Sequence, residues 1–256
     1  MSTDAELYLR GTETLLASWE EYARGASGAV VLHLPGVAAA VFPNEPERAV
    51  YNNAVLEHDL PAAERARALD AMEAAYGAAG ITRFAAWIHE SDDAMRTELE
   101  LRGYTFEEST RAMGMALGDI CLPRPRIEFA PPDWFEYLRL VGVPRDFLSQ
   151  ADRDAYHVLL ARLDGKNVAT GMAYDFGGDC GIYNVGTAEG ARRRGLGTAV
   201  TALLVHDALA RGCQTASLQS TEIAEGVYAA VGFRDLGRIL EYVPPRPSET
   251  TSGPAS

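Results

Sequence analysis

Arg192-Arg193-Arg194-Gly195-Leu196-Gly197-Thr198 runs directly into Ala199-Val200-Thr201-Ala202-Leu203-Leu204-Val205-His206-Asp207-Ala208-Leu209-Ala210-Arg211-Gly212. In this second part Leu196, Val200, Leu203, Leu204 and Ala208 recur at helical spacing, so one face of a helix is buried, and Gly212 caps its C-terminus. The first part reads as the approach to that helix. Its glycines let the backbone come close to an anion and permit turn angles closed to other residues. The free N–H groups and positive dipole end of the helix point at the same spot, and the three arginines add long cationic arms for phosphate oxygens. A diphosphate suits such a site. The loop is not a P-loop, because the Lys-Ser/Thr ending is missing, and the dinucleotide fingerprint cannot be written over Gly195 to Val200.

Working outward from the loop, Tyr156 to Leu163 is a strand, Asp164-Gly165 a two-residue hairpin turn, and Asn167 to Phe176 and Gly181 to Thr187 two further strands. After the helix come a short buried strand from Thr215 to Leu218, a short helix from Ile223 to Val231 closed by Gly232, and a last strand from Gly237 to Val243. The N-terminal half has a similar order. A hairpin over Ala29–Leu34 and Val37–Phe42 precedes a strand over Tyr51–Leu56, a helix over Ala62–Ala79, a strand over Phe84–Ile88 and a helix over Asp92–Leu101. Tyr51-Asn52-Asn53 echoes Tyr183-Asn184-Val185, Ala79-Gly80 echoes Arg211-Gly212, and Leu101-Arg102-Gly103-Tyr104 echoes Ala230-Val231-Gly232-Phe233. An internal repeat follows.

The expected class is therefore α/β (α+β): two similar units, each a mixed, mostly antiparallel sheet flanked by helices. A first domain is expected over 1–121, a Pro-rich linker over 122–134, a second domain over 135–243 and a disordered Pro/Ser/Thr-rich tail over 244–256.

R-x-x-G-x-G at 192–197, placed after a strand and followed by Tyr228-Ala229-Ala230-Val231-Gly232-Phe233, resembles the GNAT acetyltransferase superfamily over about residues 150–243. The resemblance implies an acyl-CoA-dependent N-acyltransferase, moving acetyl from acetyl-CoA to a primary amine within a ternary complex. It implies that Arg192, Arg193, Arg194, Gly195, Leu196, Gly197 and Thr198 bind the CoA pyrophosphate. It also implies that the strand before the loop splays from its neighbour, typically at a bulge, so that main-chain groups of Val185, Gly186 and Thr187 hold the pantetheine arm and one of these amides polarises the thioester carbonyl. Tyr228 matches the tyrosine that protonates the leaving sulfur in many members. The sequence departs from the family pattern at Glu189-Gly190, where many members have Pro, and at Thr221, where many have Asn and where a pantetheine hydrogen bond is altered or lost.

The base is left open. Glu222 follows a strand and could face the cleft; Glu189 lies at the loop mouth; Asp175 and Asp179 flank a hairpin and read as solvated; His206 reads as surface. Tyr183 and Asn184, neighbours on one strand, should point to opposite faces, so that one looks into the acceptor site. Water could relay the proton instead. In the N-terminal half, HDLPAAERAR stands where the phosphate loop would be and Leu99 where the acid would be, so this half reads as a degenerate copy, an arrangement that resembles two-copy members of the superfamily. The alternative reading is a non-catalytic CoA-binding regulatory or structural module, and transfer of a longer acyl or an aminoacyl group stays open as well.

Composition sets the outer limits. A net charge of −13 argues against nucleic acid as the main partner, since phosphate neutralisation needs clustered Lys and Arg. No apolar run is long enough to span a membrane, and the opening residues, which lack a basic stretch followed by an apolar one, lead to the expectation of no secretory signal. Cys121, Cys180 and Cys213 show no metal-ligand spacing and read as small core or strand residues in a reduced cytoplasmic compartment. No metal is expected. The partners expected are a CoA thioester and an amine acceptor, with the chain a monomer or homodimer.

Overall fold

In a computed structural model the described residues are 2–45, 51–142 and 152–245. The chain runs α1 (Asp4–Arg24), β1 (Val30–Leu34), β2 (Val37–Val41), β3 (Asn53–Leu56), α2 (Ala62–Ala78), β4 (Ala85–His89), α3 (Asp93–Leu101), β5 (Thr105–Ala116), β6 (Phe129–Ala130), α4 (Trp134–Val141), β7 (Tyr156–Leu163), β8 (Lys166–Phe176), β9 (Asp179–Thr187), α5 (Leu196–Arg211), β10 (Thr215–Ser220), α6 (Glu225–Val231) and β11 (Arg234–Val243). Apart from β3–β4 and β9–β10, which are parallel, the strand pairs whose register is defined are antiparallel. The tail expected to be disordered lies, from residue 246 on, outside the described residues.

Two compact units are built from this chain, and they are not consecutive stretches. Unit 1 takes residues 1–27 and 109–239, and unit 2 takes 28–108 with the segment from Leu240. The Pro-rich segment that reads as a linker contributes β6 to the sheet of unit 1, with Phe129 opposite Ala161 and Ala130 opposite Leu160. Pro131 and Pro132 end that pairing, because neither can donate a ladder hydrogen bond.

Unit 1 orders its strands β11-β5-β10-β9-β8-β7-β6. Alternation along β8 and β9 separates two cores. Ala173 and Ile182 join α5 residues Val200, Leu204 and Ala208 in one, while Met172 and Tyr183 meet Tyr137 and Leu138 of α4 in the other. Helix α1, on which the sequence pattern is silent, packs on β8, β9 and β10. Thr3 and Glu6 form a capping box at its start. Its buried face mixes Leu7, Leu15 and Trp19 with Gly11, Thr14, Ala17 and Ser18, which hides the apolar period. Gly11 is needed there, since a Cβ would stand 2.8 Å from the Ser217 Cβ. Helix α4 also escapes the sequence reading: it is short, starts on the Asp133 side chain, which accepts from the Glu136 N–H at 3.0 Å, and stops at Gly142 in the left-handed region.

Unit 2 orders its strands β1-β2-β3-β4-β11-β5. Tyr76 of α2 stacks on Phe84 at 4.0 Å and donates its hydroxyl proton to the Ala40 carbonyl at 3.1 Å, in a core with Leu69, Met72, Met95 and Leu99. Each unit repeats one motif: antiparallel strands, then a strand, a helix and a parallel strand, then a second helix and a long strand. The units differ where the parallel strands meet. In unit 2, Asn53, Ala54 and Val55 pair with Ala85, Ala86 and Trp87. In unit 1 the pairing of β9 with β10 joins Asp179, Cys180 and Gly181 to Thr215, Ala216 and Ser217 and then stops. Val185, Gly186 and Thr187, which the sequence echo sets opposite Asn53, Ala54 and Val55, thus lack the partner strand that their counterparts have.

Candidate active site

The opening between β9 and β10 begins beside a bulge. On β8, Thr170 faces Gly186 and Met172 faces Tyr183, so the single residue Gly171 opposes both Asn184 and Val185. Asn184 takes φ +53°, a left-handed conformation that asparagine tolerates better than most residues. Gly171 has no room for a side chain, because a Cβ would meet Val200 at 2.8 Å and Leu204 at 3.1 Å, both on α5.

The bulge overturns one expectation. Tyr183 and Asn184 do not face opposite sides: Tyr183 packs in the Tyr137 core, and the Asn184 Nδ2 donates to the Tyr137 hydroxyl at 2.8 Å. The extra residue absorbs half a strand period, so two successive side chains meet the same helix. Beyond the bulge, the Ala188 N–H bonds the Val168 carbonyl on β8. Two-residue alternation therefore turns the main-chain groups of Gly186 towards β8 and those of Val185 and Thr187 towards the open edge.

The loop follows at once. After a 3-10 turn over Glu189–Ala191, Arg192 donates its Nε–H to the Thr187 carbonyl at 3.2 Å, Arg193 adopts φ +59°, and Gly195 sits at the head of α5 with φ +75°. No side chain caps this end of α5, and its first turn holds no acidic residue. Arg192, Arg193, Arg194 and Gly195 are exposed; Leu196 is buried and anchors the helix; Gly197 and Thr198 are partly buried. Several other arginines of unit 1 are paired with carboxylates: Arg211 grips Asp175 with two bonds of 2.6 and 2.7 Å, and Arg111 pairs with Asp235 at 2.5 Å. Arg193 and Arg194 have no carboxylate partner among the described residues. A Cβ on Gly197 would lie 3.7 Å from Val227 and 4.0 Å from the Thr187 Oγ1, so the end of β9, the loop and α6 converge on one spot.

Tyr228 stands on α6 with its ring buried and edge-on to Phe233 at 6.2 Å. Burial pushes its phenol up to about 12, so near neutrality it holds its proton and can donate it. Glu222 is exposed on a 3-10 turn after β10, and Glu189 is exposed as well. His206 contacts the Leu122 carbonyl through Nε2 at 3.0 Å.

The hairpin aspartates correct a second expectation, since neither is a free solvated group. Asp179 is 2% exposed and accepts from the Thr215 and Ser217 hydroxyls at 2.6 Å each, because it starts β9 directly beside β10. Asp175 is held well below the usual carboxylate range by Arg211 and His157, against the opposing effect of burial. Cys180 and Cys213 are buried as expected, but Cys121 is exposed, because it lies after β5 has ended rather than on a strand. A cavity of about 800 Å³ opens towards the other end of α5, lined by Trp134, Arg153, Tyr156, His157, Asp207 and Arg211 among others, and it includes none of the loop residues.

Residues 123–233 match the model of the acetyltransferase (GNAT) family. This segment, less than half of the chain, is similar to the domain of that family. No curated protein matches the chain. Among solved structures, a GCN5-related N-acetyltransferase from Kribbella flavida is similar at 19% identity over 92% of this chain and 95% of that one, with a TM-score of 0.70. A GCN5-related N-acetyltransferase from Sphaerobacter thermophilus follows at 18% identity, 90% and 84% coverage and a TM-score of 0.60. A tandem GNAT protein from the clavulanic acid biosynthesis pathway is similar at 12% identity over 96% of this chain and 97% of that one, TM-score 0.60. At these identities the likeness is one of fold. Among the described residues no helix is long and apolar enough to cross a membrane.

Proposed function

We propose that unit 1 transfers acetyl from acetyl-CoA to a primary amine by direct attack in a ternary complex. The observation that carries this reading is the parting of β9 from β10 beside a helix start with unneutralised arginines. An extended, diphosphate-bearing thioester needs that combination: free strand donors for its amide arm and a cationic, N–H-rich end for its phosphates. The amides and side chains of the loop, Arg192 to Thr198, would hold the pyrophosphate, and the open-edge groups of Val185 and Thr187 the pantetheine arm, with Gly186 between them giving close approach.

The thioester, when bound, supplies an activated carbonyl carbon. The amine nitrogen bonds to it, the carbon–sulfur bond breaks, an amine proton leaves to a base or to water, and the departing sulfur receives the Tyr228 proton. An amide N–H on the open edge stabilises the developing oxyanion. Glu222 remains the proposed base, acting through water because it is exposed.

Unit 2 is proposed to be the non-catalytic half of a tandem pair. Three features support this. Its β3 and β4 stay paired where β9 and β10 part. Its helix α2 starts at Pro61 with no glycine nest. The ends of β3 and β4 are tied together, with the Asp59 N–H donating to Asp92 at 3.1 Å and the His58 Nε2 on the Ser91 Oγ at 2.8 Å.

Calorimetry with CoA and thiol release from acetyl-CoA over a panel of amines test the proposal. Turnover on at least one amine is expected, with Tyr228→Phe lowering kcat about 100-fold while CoA affinity stays within a few-fold. Absence of CoA binding would sink the proposal. Tight binding without turnover on any amine would favour a CoA-binding regulatory module.

A further inference from the structure

We propose that Tyr137 is a positioning residue for the reaction, acting through Asn184 to set the phase of β9 and so aim the Val185 amide into the cleft. The inference rests on the acetyl-transfer reading of unit 1 given above, and it concerns residues to which that reading assigns no role.

The strand has two possible phases. With the bulge, the Val185 main-chain groups face the open edge. Without it, a strand of regular period would turn Val185 to β8 and Gly186 to the opening, because a one-residue slip inverts every later position. What holds the bulge is therefore what aims the amide. In this bulge the first residue stands in the left-handed region, as in the glycine-headed type, but it is asparagine rather than glycine, at φ +53°. Asparagine tolerates this conformation but does not demand it.

The demand comes from α4. The Tyr137 hydroxyl accepts the Asn184 Nδ2–H at 2.8 Å, and Tyr137 is itself only 2% exposed, with its ring 5.3 Å from that of Trp134. The same helix backs the strand at a second point, since the Leu140 carbonyl lies 3.7 Å and the Val141 Cγ1 3.9 Å from where a Gly186 Cβ would be. Both contacts come from the face of the sheet that Tyr183 and Asn184 share. Asn184 is otherwise exposed, so the Tyr137 hydroxyl is the specific fixed point for its side chain.

The test uses the full chain and four variants: Tyr137→Phe, Asn184→Ala, Asn184→Gly, and Tyr137→Phe combined with Asn184→Gly. Tyr137→Phe and Asn184→Ala are expected to lower kcat about 10-fold, the loss from an oxyanion donor correctly aimed only part of the time. CoA affinity, dominated by the phosphate loop, stays within about 3-fold. Asn184→Gly keeps most of the activity, because glycine takes a positive φ without a tether. The double variant recovers what Tyr137→Phe loses, a rescue that a purely structural role for Tyr137 would not give.

A second readout needs no turnover. By amide hydrogen exchange, Val185 is expected to exchange fast and Gly186 slowly in the wild type, with the contrast shrinking in Asn184→Ala. Full kcat in Asn184→Ala, a Tyr137→Phe loss that glycine does not rescue, or an unchanged exchange contrast in Asn184→Ala overturns the proposal. If CoA does not bind the wild type, the acetyl-transfer reading fails, and the exchange pattern still decides whether Tyr137 sets the strand.

Discussion

Replacing Glu241 by glutamine removes a carboxyl that unit 2 keeps protonated into the neutral range. Glu241 lies on β11 and is 8% exposed. Burial, and after it the neighbouring Glu108 and Glu107 carboxylates, raise it from an ordinary 4.5 to about 8. The sign follows from linkage. The unfolded chain releases this proton near pH 4.5 and the folded chain only near pH 8, so the folded state binds the extra proton in between. The associated stability is fully present below pH 4.5 and is lost as the pH rises to about 8. At about 1.36 kcal/mol per unit, the loss between pH 5 and 8.5 comes to about 4 kcal/mol. Glutamine has no proton to lose. In urea titrations followed by circular dichroism, Glu241→Gln should therefore gain about 4 kcal/mol on the wild type between pH 5 and pH 8.5. A stability difference that is the same at both pH values, or that moves in favour of the wild type as the pH rises, refutes the reasoning.

Gly195→Val and Gly197→Leu should each weaken CoA binding by at least about 10-fold in calorimetry, the first because a β-branched residue is strained at φ +75°, the second because its side chain would enter the space between Thr187 and Val227. Tyr137 and Tyr228 are both pushed up to about 12, so the folded chain keeps phenol protons that the unfolded chain loses near pH 10. Stability should fall as the pH climbs between those values, by up to about 3 kcal/mol for each ring, and Tyr228→Phe should flatten the alkaline limb of a pH-denaturation curve.

The helix after the loop was legible because its apolar residues recur at 3.6 and a glycine stops it; β7 and β8 were legible because Asp164 and Gly165 both take positive φ in the turn between them. Local chemistry determines these elements, so local pattern finds them. What escaped depends on partners far away in sequence. Helix α1 buries small and polar residues against β9 and β10, a choice that makes sense only with Gly11 already lying on Ser217. The last strand begins at Arg234, before Gly237, because Asp235 accepts the Gly237 N–H at 2.9 Å and carries the chain through a positive φ of 99° within the strand. The motif singled out the loop that leads into α5, but not which strand groups face the opening. That depends on one residue of bulge, which Asn184 adopts against a tyrosine 47 positions earlier.

The routing of β5 and β11 has a practical corollary. Residues 105–108 of β5 belong to unit 2 and 109–116 to unit 1, while β11 starts in unit 1 and ends, from Leu240, in unit 2. No single scission of the polypeptide can release one half whole, since a fragment ending near residue 121 surrenders β11 and one starting there surrenders α1 and β5. The halves are therefore expected to be inherited, expressed and degraded together, and a shortened clone of residues 123–233 alone should be insoluble unless the missing pieces are supplied in trans.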